Sequence, residues 1–223
     1  MKHHTETEEN YLKCILRFSE QTAPVSTSTI AASMGTTAAS VTDMLKKLSD
    51  KQLVWYQPYK GVSLTEQGRL VALRIVRKHR LWEVFLVEKL KFSWDNVHEV
   101  AEQLEHVDSP ELIRRIDEFL GYPKFDPHGD PIPTEEGEMA RRDTRLLSDI
   151  QPGDRVVIAG VQRSDQDFLQ YLDLIGLTLN RVVTVVERIA YDESLRLMAD
   201  SGSLVVSGSV ARNISVLRME PVS

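Results

Sequence analysis

Two imidazoles and two carboxylates recur at helical spacing near the middle of the chain. Within Asn96–His106, the residues His98, Glu102, Glu105 and His106 stand at i, i+4, i+7 and i+8. A helix there turns all four toward one side. Val97, Val100, Ala101 and Leu104, at i, i+3, i+4 and i+7, form an adjoining apolar stripe that would anchor it. Mixed nitrogen and oxygen donors on a rigid element suit a divalent transition metal. The same residues also suit a solvated helix face with an ion pair or two. Upstream, His79 and Glu83 are one helical turn apart, so both can meet one ion or pair with each other for a few tenths of a kcal/mol. His128 lies among prolines and glycines and is read as a turn residue rather than a ligand.

The rest of the composition excludes several classes. The 223 residues are 42% apolar and 27% charged, ordinary for a globular protein of one large or two to three small domains. No apolar run approaches the roughly 18–20 residues of a membrane span. The start, Met1-Lys2-His3-His4-Thr5-Glu6, carries no apolar signal segment, and the single cysteine, Cys14, leaves no internal disulfide. A cytoplasmic location is expected. There is no HExxH, GxSxG, P-loop or dinucleotide fingerprint. The net charge of −6 conceals a division: Lys46 to Arg80 holds nine Lys/Arg against Asp50 and Glu66, whereas Asp95 to Met139 holds thirteen Asp/Glu against Arg114, Arg115 and Lys124. A basic segment suits a polyanion and an acidic one suits cations.

The elements that must position these groups are readable in order. Residues 6–20 predict an amphipathic helix with Tyr11, Ile15 and Phe18 on one side and Glu6, Glu8 and Glu9 in its first turn. Ser26 to Gly35 and Thr37 to Asp50 predict two short helices joined at a glycine, a helix-turn-helix pattern. On the second helix, Thr37, Ala39, Ser40, Thr42 and Asp43 are candidates to face bases, and Lys46 and Lys47 to meet phosphates. Leu53–Tyr56 and Val62–Leu64 predict a hairpin, a wing with Lys60 at its tip as a further phosphate contact. Thr65 caps a long helix running to about Leu90. Its second half is apolar on more than one side, as in a dimer interface or the centre of a domain. Ser109-Pro110 opens another helix. Four prolines and two glycines between Tyr122 and Ala140 forbid regular structure there and predict a linker packed at its Ile132 end. From Leu147 the pattern turns to short strands around one helix, Asp165 to Ile175, as in a small barrel. The expected fold class is α+β. A winged helix-turn-helix spans 1–72, a helical metal-binding and dimerisation domain 73–122, a linker 123–146 and a small barrel 147–223.

Together, Glu9-Asn10-Tyr11-Leu12, Lys78-His79-Arg80-Leu81-Trp82-Glu83, Val97-His98 through Glu105-His106-Val107, and His128-Gly129-Asp130-Pro131-Ile132-Pro133 resemble the DtxR/MntR family of metal-dependent repressors, including the SH3-like, ferrous-transport A-type (FeoA-type) tail of its longer members, which the barrel at 147–223 would match. The resemblance implies two metal sites per subunit. One uses positions matching Glu102, Glu105 and His106 with a first-helix donor, here Asn10. The other uses positions matching His79, Glu83 and His98. Asp165 or Asp167 matches an occasional extra ligand from the tail. Two departures stand out: a neutral Asn10 where familiar members have Met or Asp, and Lys13 where manganese-type members have a carboxylate. Glu102, in place of a thiolate, favours harder ions, so Mn(II) is expected ahead of Fe(II).

The implied function is a homodimeric repressor that binds double-stranded operator DNA, palindromic and near metal-uptake genes, when a divalent metal orders it. Without metal, the carboxylates of Glu83, Glu102 and Glu105 would repel one another and leave the first helix loose. The membrane is not an expected partner. Competing readings are a di-metal hydrolase using the His/Glu cluster and a metal-independent DNA-binding protein.

Overall fold

The computed structural model describes residues 4–20 and 22–219. The chain gathers into two compact units. One holds the chain up to Trp82 with Ala101–Phe119 and Ile132–Met139, and the other holds Glu83–Val100, Leu120–Pro131 and the chain from Ala140 onward.

The first unit begins with α1 (Glu6–Ser19), whose N-terminus is closed by a capping box between Thr5 and Glu8. Glu8 is itself buried and receives the ammonium of Lys51 at 2.6 and 2.8 Å, which fixes α1 against the end of α3. Next come α2 (Thr27–Met34), capped by Ser26, and α3 (Ala38–Asp50), capped by Thr37. Gly35 joins them in the left-handed region at φ 60°, a conformation costly for a side chain and open to glycine. Leu12, Ile15, Ile30, Val41, Leu45 and Leu48, each fully buried, lock the three helices together. The wing is the antiparallel pair β1 (Val54–Gln57) and β2 (Gly61–Leu64), seated by an exchange of backbone bonds between Val25 and Val62. Thr65 Oγ1 accepts the N–H of Gly68 and so caps α4 (Glu66–Glu88).

Helix α4 continues past the first unit's boundary at Trp82. In its apolar half, Leu81, Trp82, Val84 and Leu86 are all under 9% exposed within the single chain, so burial there does not wait for a partner. Helix α5 (Val97–Leu104) and α6 (Pro110–Phe119) follow. Residues 132–139 pack onto the first unit, with Ile132 buried and Gly137 against Leu70 and Leu73.

The second unit is built on a six-stranded antiparallel sheet of β3 (Arg145–Leu146), β4 (Arg155–Val161), β5 (Val182–Ile189), β6 (Ser194–Ala199), β7 (Gly202–Val206) and β8 (Ile214–Arg218), in the order β3-β8-β4-β5-β6-β7. Helix α7 (Gln166–Ile175), N-capped by Asp165 and stopped by Gly176, and the short α8 (Gly208–Ala211) complete it. Alternate residues Val183 and Val185 of β5 and Leu195 and Leu197 of β6 point into one apolar core with Leu169 and Leu172 of α7. This is the antiparallel sheet domain expected of an SH3-like tail. Strands β3 and β8 and helix α8 were not among the predicted elements. The segment 120–131 packs here too. Phe125 pairs with Pro131, and Gly129, at φ 91°, passes so close to β4 that a Cβ would lie 2.3 Å from the carbonyl oxygen of Ala159. Only glycine fits that crossing. The Pro/Gly-rich stretch is irregular, as four prolines require, yet anchored at both ends.

Candidate metal centre

The donors selected by spacing fall into two environments. Helix α5 ends at Leu104, and Glu105 and His106 occupy the turn after it, although the Glu105 N–H still reaches the Ala101 carbonyl at 2.9 Å. The turn carries Glu105 inward to 1% exposure, whereas Glu102, on the helix proper, keeps a half-exposed side chain.

In the first unit, Glu105 is the hub. Its Oε2 lies 2.6 Å from His79 Nδ1 and 2.6 Å from Lys13 Nζ. Burial alone would push its carboxyl pKa up, but the hydrogen bond from His79 and the charge of Lys13 more than reverse this and hold it below the usual carboxylate range. Its other oxygen, Oε1, is buried with no hydrogen-bond partner and lies 3.6 Å from His106 Nε2. The opposite nitrogen of that imidazole, Nδ1, is 2.6 Å from Glu9 Oε2 on α1, with Lys78 Nζ 3.9 Å from the same oxygen. A neutral His106 that donates from Nδ1 to Glu9 presents a bare Nε2 lone pair beside an unsatisfied carboxylate oxygen. That is the arrangement in which metal-binding imidazoles are held by a supporting carboxylate. The donor set fits a divalent cation.

Two residues of α1 meet this cluster, Lys13 at Glu105 and Glu9 at His106, and neither is the first-helix donor expected from the sequence, Asn10. Asn10 is half-buried and makes no side-chain hydrogen bond among the described residues. The expected self-repulsion of carboxylates is also corrected. Glu105 is already paired with Lys13 and hydrogen-bonded to His79, and α1 is already tied to the turn after α5 through Lys13 and Glu9.

In the second unit, Glu83 is 2% exposed, and its two oxygens face two imidazoles: Oε1 is 3.2 Å from His98 Nδ1 and Oε2 is 3.7 Å from His128 Nδ1. Glu83, Asp126 and His128, all buried, offer donor atoms within 4.8 Å of one another. His128 Nε2–H donates to the Trp94 carbonyl at 2.8 Å, and the Trp94 ring stacks on the imidazole at 6.0 Å, which directs Nδ1 toward Glu83. Asp126 Oδ1 receives the N–H groups of His128 and Asp130 and shapes the turn. Trp94 Nε1 in turn binds Asp173 of α7. Nothing in the periodicity of the sequence marks His128 or Asp126, because their placement depends on the Gly129 crossing against β4. Asp165, the other tail candidate, caps α7, and Asp167 is exposed in that helix's first turn.

Burial would lower the His128 pKa, but Glu83 and then Asp126 outweigh it and push it up to about 9. A histidine raised from an unfolded value near 6.5 stabilises the fold fully below that pH and loses the contribution as pH climbs through the folded value. In chelator, unfolding free energy is therefore expected to fall by on the order of 3 kcal/mol between about pH 6.5 and 9. Urea titrations across that range check this, and a His128→Gln variant with the same slope as the parent would contradict it.

The helix-turn-helix residues face solvent. Thr37, Ala39, Ser40, Asp43, Lys46 and Lys47 are exposed on α3, Thr42 is half-buried and bonded to the Ala38 carbonyl, and Lys60 is exposed at the wing tip beside a fully exposed Tyr59. Thr37 also spends its hydroxyl as the helix cap, accepting the Ser40 N–H. Trp55, 72% exposed on the wing, was not singled out from the sequence.

Three family profiles tile the chain: "Iron dependent repressor, N-terminal DNA binding domain" over residues 3–62, "Iron dependent repressor, metal binding and dimerisation domain" over 65–134, and "FeoA domain" over 145–218. The iron-dependent repressor IdeR of Mycobacterium tuberculosis is 30% identical over 192 residues, spanning 81% of this chain and 84% of that protein. A solved manganese-dependent transcriptional repressor in complex with manganese is 36% identical with a TM-score of 0.83, covering 95% of this chain and 100% of that one. The chain belongs to the DtxR family of metal-dependent transcriptional repressors. Within that family, ScaR with bound Zn2+ is 31% identical with a TM-score of 0.71, covering 95% of this chain and 99% of its own. As a DtxR-family member, the chain has the DNA-binding, dimerisation and FeoA parts in the order the sequence implied. No helix among the described residues is long and apolar enough to cross a membrane.

Proposed function

We propose that this DtxR-family chain is a cytoplasmic homodimeric repressor that answers to Mn(II), with Fe(II) as the second candidate, and binds palindromic operators of metal-uptake genes. The observation that carries the reading is the unsatisfied Glu105 Oε1 beside His106 Nε2, because His106 is held from behind by Glu9 of α1, the first helix of the DNA-binding half. A divalent cation there would supply the charge that those two donors are open to. Glu105 and His106 are the central ligands, Glu102 and Asn10 complete the set, and His79 orients Glu105 through Nδ1. Glu83, His98, His128 and Asp126 form the second set, with Asp167 as its outermost candidate. All are oxygen or nitrogen donors, and the one thiol, Cys14, is buried in the apolar core of the first unit, which favours a hard ion such as Mn(II). The 36% identical relative bound to manganese supports the same choice.

The exposed side of α3 reads bases through Thr37, Ala39, Ser40, Thr42 and Asp43, while Lys46, Lys47 and Lys60 meet phosphates. Two such helices in a homodimer would lie about 34 Å apart to read half-sites one turn of DNA apart. The domain limits proposed with this function are 1–72 for DNA binding, 73–122 for metal binding and dimerisation, 123–146 for the linker and 147–223 for the FeoA-type domain. The test is fluorescence anisotropy on duplexes selected from a random pool, in chelator and then in Mn(II), anaerobic Fe(II) or Zn(II). Tightening by Mn(II) is expected, and equal affinity in all four conditions would overturn the reading. Lys60→Ala should weaken binding alike on all sequences and reduce the slope of log affinity against log salt by about 1.

A further inference from the structure

A lysine stands inside the donor cluster. Lys13 Nζ lies 2.6 Å from Glu105 Oε2, 3.4 Å from His79 Nδ1 and 3.8 Å from Glu102 Oε1. The ammonium thus sits where a cation bridging Oε2 to its neighbours would sit. The second oxygen of the same carboxylate, Oε1, faces His106 on the other side and has no hydrogen-bond partner. One buried carboxylate is flanked by two cation positions, and one of them is filled by a charge covalently attached to α1.

The charge balance points the same way. In the contacts described above, three carboxylates, Glu9, Glu102 and Glu105, meet two ammonium groups, Lys13 and Lys78. Three negative charges against two positive ones leave room for one divalent ion, whereas a second would face a local excess of positive charge beside the Lys13 ammonium.

We propose that Lys13 is the built-in cation of the Glu105 centre: it permanently fills one of two cation positions around that carboxylate, limits the centre to a single metal ion, and holds α1 to the turn after α5 when that ion is absent. This rests on the reading of Glu105 and His106 as metal ligands. It adds that α1 does not wait for metal to be docked, so metal tightens an arrangement that already exists.

The experiment uses the full chain and Mn(II) alone, with bound ions counted by electron paramagnetic resonance and elemental analysis. His106→Ala is compared first with the parent. Loss of one bound ion per protomer is expected, and no loss would overturn both readings. Lys13→Glu, which exchanges the ammonium for a further carboxylate, is expected to gain one ion per protomer. Lys13→Met, of similar length and without charge, covers failure of the glutamate variant to fold: its His106-dependent ion should bind about tenfold more tightly. Amide exchange across α1 of the metal-free Lys13→Met protein should rise at least tenfold. With the His106-dependent ion still present in the parent, an unchanged count in Lys13→Glu, or unchanged affinity and unchanged α1 exchange in Lys13→Met, overturns the role of Lys13 and leaves the ligand assignment standing.

Discussion

Glu105→Gln is expected to abolish the metal dependence of DNA binding in a chain that still folds. The substitution keeps the volume of a side chain that is 1% exposed and removes the one charge on which both halves of the cluster depend. Lys13, with a side chain 22% exposed, can turn its ammonium to solvent, so the change does not strand a buried cation. What remains is a neutral amide beside His106 Nε2, a much poorer donor for a hard divalent ion. Coupling between an effector and a distant ligand is commonly 5–150-fold in affinity. The ratio of operator affinity with Mn(II) to that with chelator should therefore fall from that range to about 1. Anisotropy titrations with the selected duplex measure it, alongside circular dichroism to establish the fold. A Glu105→Gln protein whose affinity still rises more than fivefold with Mn(II) would show that the metal acts elsewhere. Glu102→Gln is a useful contrast. Its carboxylate is half-exposed and 3.8 Å from Lys13, so its effect on the ratio should be smaller.

The difference between these two glutamates also marks how far the sequence could be read. A 3.6-residue period identified α5 and grouped His98, Glu102, Glu105 and His106; His98, Glu105 and His106 each meet a carboxylate or an imidazole, and Glu102 lies 3.8 Å from Lys13. The period assumed a helix to His106, but α5 ends at Leu104 and the turn after it redirects Glu105 and His106. As a result His98 meets Glu83, while Glu105 and His106 meet Lys13, His79 and Glu9. Helix ends are where local pattern is weakest, because the last turn is shaped by what the carbonyls and side chains find nearby. The helix-turn-helix was readable because Gly35 and the caps Ser26 and Thr37 are local signals. His128 and Asp126 were not, since a proline-rich turn has no period and its position is set by β4, some thirty residues later in the chain. Strand β8 has the same problem in another form. Ile214–Arg218 is short and mixed in polarity, and it is a strand because β3 and β4 lie on either side of it.

Asp117→Ala is expected to cost about 3–5 kcal/mol of stability, among the largest effects of any single change outside the apolar cores. Arg77 and Asp117 are 9% and 8% exposed, their charged atoms are 2.6 Å apart, and the other Arg77 terminal nitrogen binds the Pro133 carbonyl at 2.7 Å. One guanidinium thus joins α4, α6 and the 132–139 segment within the first unit. Removing the carboxylate leaves a buried cation with half of its fork unpaired, and that stranded charge, rather than the lost attraction, sets the cost. Exchanging both partners for apolar residues, Arg77→Met with Asp117→Leu, should therefore be milder than Asp117→Ala alone. Urea unfolding at fixed protein concentration, in chelator, separates these cases. If the double variant proves as unstable as the single one, the pair matters for its geometry and not for the charge it buries. The consequence reaches the metal centre, because Arg77 lies two residues before His79 on α4. A helix released from α6 at that point no longer fixes the rotation that brings His79 Nδ1 to Glu105. Asp117→Ala should accordingly weaken Mn(II) binding at a distance, while Arg77→Met with Asp117→Leu, which restores the packing, should recover it.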